Sequence, residues 1–435
     1  MTIRKIVKAV IPQGLFEKVE PAGHLVEAVF WNVLYGFPGH GMKVIGVTGT
    51  NGKTTTTYLI HHMLVEAGYN AGLMTTVAYG VGKDIKQQMH HYTNVPVREL
   101  MQRLRWMRAQ GMDWLVLETT SQALVQHRTW GVPYSVAVLT NITHEHLDYH
   151  KTFERYVAAK RRLFELTERN KTGLQVGITN ADDPNGRSFA AVTERPVLYG
   201  VGQGDVRAVD VELSKSGIRY RAETSDETYH IESTLAGSFN VSNTLAAVCV
   251  GRTLGLNKEQ IEQGIASLRS VEGRMVTVDE GQPFGVIIDY AHTPDSFEKL
   301  FKDLRPATKG KLIVMFGSAG RRDEAKRTEQ GRLAAEYADE VVLTEEDDRD
   351  CDGLAILEDI AAGAEKAGKK RGENLFLVHN RTEAIAFALS RASSPDDLVL
   401  LLGKGHEKTI EREDREDPWD ELGTTKDALR NLLSK

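Results

Sequence analysis

The chain reads as an α/β protein built on two successive, mostly parallel sheets, and three observations predict it. Short apolar runs alternate with helix-period segments from residue 43 to about 180. Polar clusters recur at the ends of those runs. The same alternation resumes after residue 271. Strands that alternate with helices pair in parallel, because each crossover carries the chain back over the sheet. Ligand sites in such sheets lie at the carboxyl ends of the strands.

The elements follow in order. Val44, Ile45 and Val47 form a first apolar run, which meets a Gly-rich turn, then Lys53, then four threonines. Ile60, Met63, Leu64 and Ala67 stand at i, i+3, i+4 and i+7, with Gly68 as a stop signal. Residues 114–118, 135–140 and 174–179 are buried-strand candidates. The ends of the first three strands carry residues 48–54, 118–121 and 141–146, which the fold would bring together. Residues 197–235 read as short strands with polar turns. Residues 237–268 return to helix, with an apolar-periodic stretch from Asn243 to Leu256. After a boundary at 271–274, five further strands are expected at 285–289, 311–316, 340–343, 374–378 and 397–402. The expected organisation is an N-terminal helical extension (1–42), a central P-loop ATPase domain with a mostly parallel sheet (43–271), and a C-terminal Rossmann-like α/β domain (272–435).

The totals narrow the class. At 435 residues the chain is long enough for two or three domains with real cores. It is 41% hydrophobic and 26% charged with net charge −6, which argues against a nucleic-acid-coating role, since that wants a basic face. Cys249 and Cys351 are far apart and lack metal-type spacing. A reducing cytoplasm is the natural inference, without a disulfide scaffold. The start lacks the uninterrupted apolar stretch of a signal peptide. Residues 24–37 are apolar and aromatic but contain Glu27 and Asn32, and fall short of the ~20 residues that span a bilayer. A helix packed on the next domain is the plain reading. An interfacial membrane contact is the sharper one, because Trp31 and Tyr35 suit a headgroup boundary and Lys5 and Lys8 would help.

Residues 43–57 carry the clearest chemistry. Gly49 and Gly52 let backbone N–H groups close around phosphate oxygens, Lys53 adds a point charge, and Thr54 offers a hydroxyl to Mg²⁺. The stretch departs from G-x-x-x-x-G-K-[ST], because Val47 stands at the first Gly position. Glu118, at a strand end, is a natural Mg²⁺ ligand beside a phosphate loop, against the plain reading of a solvated carboxylate. Residues 141–150 gather His144, Glu145, His146, Asp148 and His150. His146 is the candidate metal ligand there, and His144 and His150 are structural or substrate-facing. Lys160, taken alone, belongs to a solvated basic helix face. Residues 289–295, 317–323 and 403–407 are three more strand-exit loops. Arginines in the second, Arg321 and Arg322, prefer carboxylate or phosphate. The run 345–352 is the main charge anomaly.

Together the stretches TGTNGKTTT (48–56), ETTSQALVQHR (118–128), TNITHEHLDYH (140–150), AAKRRLF (158–164), GSFNVSNTLAA (237–247), GRM (273–275), DYAHTPD (289–295), GSAGRRDEAKR (317–327) and GKGHE (403–407) resemble the Mur ligase family. The likeness covers roughly residues 43–435 and is strongest to the family's E-type branch, which adds the third residue of the peptidoglycan stem peptide. It implies an ATP-dependent ligase. An acceptor carboxylate attacks the γ-phosphate, and the incoming amine attacks the resulting acyl phosphate. Such chemistry rests on positioning and charge neutralisation.

The resemblance assigns catalytic roles to Lys53, Lys160 and His146. It places ATP on Gly49, Thr50, Asn51, Gly52, Lys53, Thr54, Thr55, Asn243, Arg274 and Asp289. Two Mg²⁺ sites would use Thr54, Glu118, His146 and a carbamate on Lys160. The acceptor and amino acid would meet Thr120, Ser121, Arg128, Arg322, Asp347, Arg349, Gly403 and Glu407. The expected partners are a muramyl-peptide-like acceptor and a free amino acid.

Two departures stand out. Only about 40 residues precede the ATP loop, fewer than the uridine-nucleotide-binding domain of family members needs. The acceptor's UDP group is therefore expected to be bound differently or to be absent, and a lipid-linked acceptor would suit residues 24–37. The D-N-P-R stretch of diaminopimelate-using members is Glu346-Asp347-Asp348-Arg349 here, and the added acids favour a diamino acid. The rival readings are a folylpolyglutamate synthase-like ligase, disfavoured by GTNGKTT in place of GTNGKGS; a partner-dependent ligase-like subunit; and a plain ATPase.

Overall fold

The computed structural model describes residues 13–88, 93–143, 145, 147–214 and 217–434. The first sheet contains β1 (Val44–Thr48), β2 (Ala71–Met74), β3 (Ala78–Val81), β4 (Asp84–Gln87), β5 (Trp114–Glu118), β6 (Tyr134–Leu139), β7 (Val176–Asn180), β8 (Arg195–Val201), β9 (Val206–Ser214), β10 (Gly217–Glu223) and β11 (Thr228–Ser233). Its order is β11-β10-β9-β8-β7-β6-β1-β5-β2-β3-β4. Pairing is parallel from β9 through to β2 and antiparallel at both ends. Strands β1, β5, β6 and β7 are buried along their whole length, which is why they read as unbroken apolar runs. Ile45, Val47, Val116 and Val138 face a core that includes helices Lys53–Glu66, Phe239–Thr253 and Lys258–Ser267. Val44, Leu115, Leu117 and Leu139 face helices Val97–Ala109 and Phe153–Arg169.

The second sheet contains β12 (Val276–Thr277), β13 (Gly285–Asp289), β14 (Leu312–Phe316), β15 (Glu340–Leu343), β16 (Leu375–Leu377) and β17 (Leu398–Leu402), in the order β12-β13-β17-β14-β15-β16. All pairs are parallel except the edge pair β12-β13. Apolar cores lie on both faces.

Several boundaries differ from the sequence expectation. The helical region expected over 237–268 is split into two helices, Phe239–Thr253 and Lys258–Ser267. The apolar segment at 24–37 is part of a longer helix, Gln13–Leu34, which ends where Gly36 and Phe37 take positive φ. The hairpin β3-β4 was not anticipated, because its outer strand is mostly exposed and polar. Helix Gln13–Leu34 packs on the body through Ala28 and Asn32, both fully buried. Asn32 Nδ2 donates to Trp130 O at 3.1 Å.

Candidate active site

The loop after β1 is shaped by close approach. Gly49 has φ 151° and Gly52 φ 81°. A Cβ on Gly49 would lie 1.8 Å from Thr140 Oγ1, and one on Gly52 2.3 Å from Asn243 Oδ1. Only glycine fits either position. Gly52 caps helix Lys53–Glu66 with no side-chain partner for the first N–H groups. Those donors and the helix dipole favour an anion there. The exit of β6 braces the loop: Asn141 O accepts from Thr50 N at 2.8 Å, and Asn141 Oδ1 accepts from Asn51 N at 3.0 Å. Thr55 is buried on the first turn of the helix.

Two lysines converge on this loop. Lys53 Nζ donates to Thr50 O at 2.7 Å, and Lys160 Nζ donates to Gly49 O at 2.7 Å. Among the described residues neither forms an ion pair. Lys160 is 2% exposed, so it does not stand on a solvated helix face as the isolated sequence suggested. The twist of helix Phe153–Arg169 over the sheet turns it inward, beside the ring of Tyr156 at 4.6 Å. Burial, then the charge of Lys53, pushes its pKa well below the ordinary lysine value, against the pull of Glu145 and Glu118. Burial lowers that of Lys53 as well.

Glu118 is 1% exposed, not solvated. Its Oε2 accepts from Thr54 Oγ1 and from Thr76 N, each at 3.0 Å. Behind it, Asn94 ties the strand end to the next loop: Nδ2 donates to Glu118 O at 2.7 Å, and Oδ1 accepts from Thr120 Oγ1 at 3.0 Å. Arg128 Nη1 donates to Asn94 O at 2.8 Å. Ser121 Oγ pairs with His150 Nε2 at 2.9 Å, so His150 is structural. His144 and His146 lie outside the described residues.

The second sheet presents its carboxyl edge to the same loop. Asn51 Nδ2 donates to Asp295 Oδ2 at 2.7 Å, and His292 Nε2 lies 3.4 Å from Glu145 Oε1. Arg274 stacks over Tyr290 at 4.5 Å, with Nη2 3.5 Å from Thr54 Oγ1, and its buried Nε has no hydrogen-bond partner among the described residues. Asp289 is clamped by N–H donation from Met275 at 2.9 Å and Ala291 at 2.7 Å, and burial raises its pKa. Asn243 Oδ1 accepts from Thr56 Oγ1 at 3.2 Å.

Most of these groups line a cavity of about 1040 Å³, while Gly49, Ser121, Lys160 and Gly403 stand behind its wall. Thr50 to Thr55, Glu118, Thr120, Arg128, Asn243, Arg274, Asp289, Arg322, Asp347, Arg349 and Glu407 are all on its wall. Arg322 is exposed at the rim. Arg349 is already engaged, donating from Nε to Glu411 Oε2 at 2.6 Å and from Nη1 to Gly320 O at 2.5 Å. Asp347 holds Lys404 at 2.8 Å, and Lys404 holds Glu407 at 2.6 Å. Gly403, at φ 102°, leaves room for Glu346, whose Oε2 is buried without a hydrogen-bond partner. Glu345, Asp348 and His379 form a cluster of metal-ligand type. Arg412 already pairs with Glu345 there and lies 3.8 Å from Asp348.

Sequence reasoning gave no individual role to Glu145, Asn94 or Asn141, while His292 and Asp295 stood in the 289–295 strand-exit stretch it singled out. Glu145 and Asn141 stood in a stretch singled out for its histidines. Asn94 carried no signal, since one amide in a loop is ordinary.

Similarity to known proteins follows this geometry. Family models match residues 47–251, as the Mur ligase middle domain, and residues 273–405, as the Mur ligase glutamate ligase domain. The chain belongs to the Mur ligase family. This Mur ligase is 42% identical over 412 residues to the UDP-N-acetylmuramyl-tripeptide synthetase of Roseiflexus sp. (strain RS-1), covering 92% of this chain and 80% of the relative. It is 38% identical over 395 residues to the UDP-N-acetylmuramoyl-L-alanyl-D-glutamate–2,6-diaminopimelate ligase of Geobacillus thermodenitrificans, covering 89% of this chain and 79% of the relative. A solved structure of a ligase with that same name superposes with TM-score 0.62 at 28% identity, covering 90% of this chain and 79% of the other. The ADP complex of Mycobacterium tuberculosis folylpolyglutamate synthase superposes with TM-score 0.74 over 97% of each chain. At 15% identity that likeness speaks to fold alone. As a Mur ligase, the protein is an ATP-dependent ligase.

Proposed function

We propose that the cavity joins an amino acid to the carboxylate of a muramyl-peptide-like acceptor, with ATP converted to ADP and phosphate. The observation that carries this reading is the convergence on a helix N-terminus of two lysines, Lys160 buried and Lys53 half-buried, that form no ion pair among the described residues. Such an arrangement is costly unless an anion completes it. The loop 48–54 acts as a P-loop on residues 43–271, and residues 272–435 form a Rossmann-like unit that supplies the rest of the nucleotide site and the amino-acid pocket.

The roles follow from position. Loop N–H groups and Lys53 bind the β- and γ-phosphates. Thr50, Asn51 and Thr55 shape the cradle. Asn243, Arg274 and Asp289 hold the nucleoside end. Thr120, Ser121 and Arg128 border the acceptor, and its carboxylate oxygen bonds to the γ-phosphorus as ADP leaves. The amine then adds to the acyl carbon, and the C–O bond to phosphate breaks, leaving the amide. Thr54 and Glu118 offer an oxygen donor set that would hold one Mg²⁺, and a carbamate on Lys160 with His146 would hold a second, as the family resemblance implies; the ions would supply neutralisation of phosphate charge. The depressed pKa of Lys160 supports its carbamylation, since CO₂ adds only to a neutral amine and the product is an oxygen ligand.

The amino acid is a diamino acid. Arg349 and Arg322 border the pocket for its carboxylate, while the unpartnered Glu346 oxygen, beside Gly403, favours an ammonium. Asp347 and Glu407 position Lys404 at the pocket floor. ATP use and two unpaired cysteines fit a reducing, cytoplasmic setting.

Product mass is to be measured across acceptors, with and without UDP, and across an amino-acid panel. Amide product with equimolar ADP and a preference for lysine, ornithine or diaminopimelate is expected. ADP release without added acceptor, or use of small neutral amino acids alone, would overturn the reading.

A further inference from the structure

Helix Gln13–Leu34 has two unlike faces. Ala28 and Asn32 fix one face to the body. The opposite face carries Val26, Phe30, Val33 and Leu34, which are 69%, 56%, 59% and 61% exposed, and Phe37 just beyond it is 44% exposed. The spacing of Val26, Phe30, Val33 and Leu34 (i, i+4, i+7 and i+8) forms one stripe, with Phe37 exposed just past the helix end, and Glu27, exposed at its margin, is the one charged residue between 26 and 37. These five are a large share of the exposed large hydrophobics among the described residues, gathered in one place. Scattered exposed apolar residues need no explanation, but a contiguous stripe marks an interaction surface.

The charge beside the stripe identifies the partner. Helix Val97–Ala109 packs against this helix: Arg98 lies over the Trp31 ring at 5.3 Å, and Gln102 Nε2 donates to Tyr35 OH at 2.9 Å. Its outer side carries Arg98, Arg105 and Arg108, all exposed and none in an ion pair among the described residues. Arg108 donates to His40 O at 3.1 Å, at the end of the same apolar segment. In the sequence, residues 1–12 add Arg4, Lys5 and Lys8 and no acid. An apolar stripe flanked by cations, with Trp and Tyr at its margin, matches an interface of acyl chains below and anionic headgroups above. A second copy of the chain fits less well. A two-fold contact through this stripe would bring each arginine row toward its own equivalent.

We infer that the stripe of Val26, Phe30, Val33, Leu34 and Phe37 docks the enzyme on an anionic lipid bilayer surface, with the helix lying in the plane of the interface. No described helix is long and apolar enough to cross a membrane. The docking is therefore peripheral, and it stands or falls independently of which amino acid the enzyme uses.

The test is flotation of the full chain with phosphatidylglycerol/phosphatidylcholine vesicles, beside phosphatidylcholine vesicles alone. Flotation with the anionic vesicles that weakens as salt is raised is expected. Phe30→Glu/Val33→Glu should cut vesicle binding at least tenfold while leaving the thermal unfolding transition and ligation of soluble substrates unchanged. Arg98→Gln/Arg105→Gln should move the loss of binding to lower salt. Three results would overturn the inference: wild-type chain that stays with the unbound fraction, a double glutamate variant that floats as well as wild type, or a dimer in sedimentation velocity that this variant dissociates in the absence of any vesicle binding.

Discussion

The two sheets present buried charge at their carboxyl edges in opposite ways. At the first edge, Lys53 and Lys160 point at backbone carbonyls and, among the described residues, meet no carboxylate within ion-pair distance. At the second, the acidic run after β15 is neutralised residue by residue. Glu345 pairs with Arg412, Asp347 with Lys404 and Asp348 with His379. Arg381 and Glu421, both fully buried, close the network with two parallel hydrogen bonds at 2.8 and 2.6 Å. Charges that answer one another hold a loop in place. Charges left without an answer wait for a ligand. The exception at the second edge is the free oxygen of Glu346, and it faces the proposed amino-acid pocket.

The sharpest way to break this contrast is at Lys53. Lys53→Met should lower amide formation by about 10²–10³-fold, the scale of losing one preorganised charge at a transition state. Steady-state ADP release and product mass check it. Unimpaired synthesis would mean the unpaired lysine has no ligand to meet.

The next largest effect lies in the closed network. Arg381→Met leaves Glu421 buried with the Trp419 Nε1–H donor at 2.7 Å but no counter-charge, and should cost about 3–5 kcal/mol of stability in denaturant unfolding. Arg381→Met/Glu421→Met should recover much of that loss. If the single variant were as stable as wild type, the network would not be what holds this edge.

Lys160→Ala should reduce activity by about 10–100-fold, the scale expected when support for a metal site is lost, with partial recovery on adding a short carboxylic acid. The sign of the pH effect follows from the lowered pKa. The folded protein holds fewer protons at this site than the unfolded chain does between the lowered value and the ordinary one. Stability from this group therefore rises with pH across that window and is lost as pH falls through the lowered value. The neutral amine also grows with pH, so activation at a fixed concentration of dissolved CO₂ should increase as pH rises through the lowered value. A CO₂ response that does not change with pH would remove the carbamate.

The smallest effect is on selectivity. Glu346→Gln should reduce the preference for diamino acids over neutral ones by about tenfold, roughly 1.4 kcal/mol, read as a ratio of kcat/KM values. An unchanged ratio would return Glu346 to a structural role.

The order of elements was legible because buried parallel strands are apolar throughout, and β1, β5, β6 and β15 appear where those runs stand. The Gly-rich turn after β1 was legible because its glycines stand out in the sequence, and close approach to Thr140 and Asn243 is what requires them. Lys160 carried no such mark. Its helix has arginines beside it, and only packing decides which basic residue turns inward. Glu145 and Asp295 were not separable from ordinary surface acids, since their roles come from the second sheet meeting the first.

By itself the sequence determined the local grammar of this protein: which runs must be buried, where the chain must bend through glycine, and which loop can cradle phosphate. These depend on periodicity and on steric limits that each residue carries with it. Tertiary structure alone decided which charges are paired, which lysine is stripped of water, and which face of the first helix stays uncovered. Each of those depends on residues tens of positions or more apart in the chain, and the energy of a charge is set by what surrounds it.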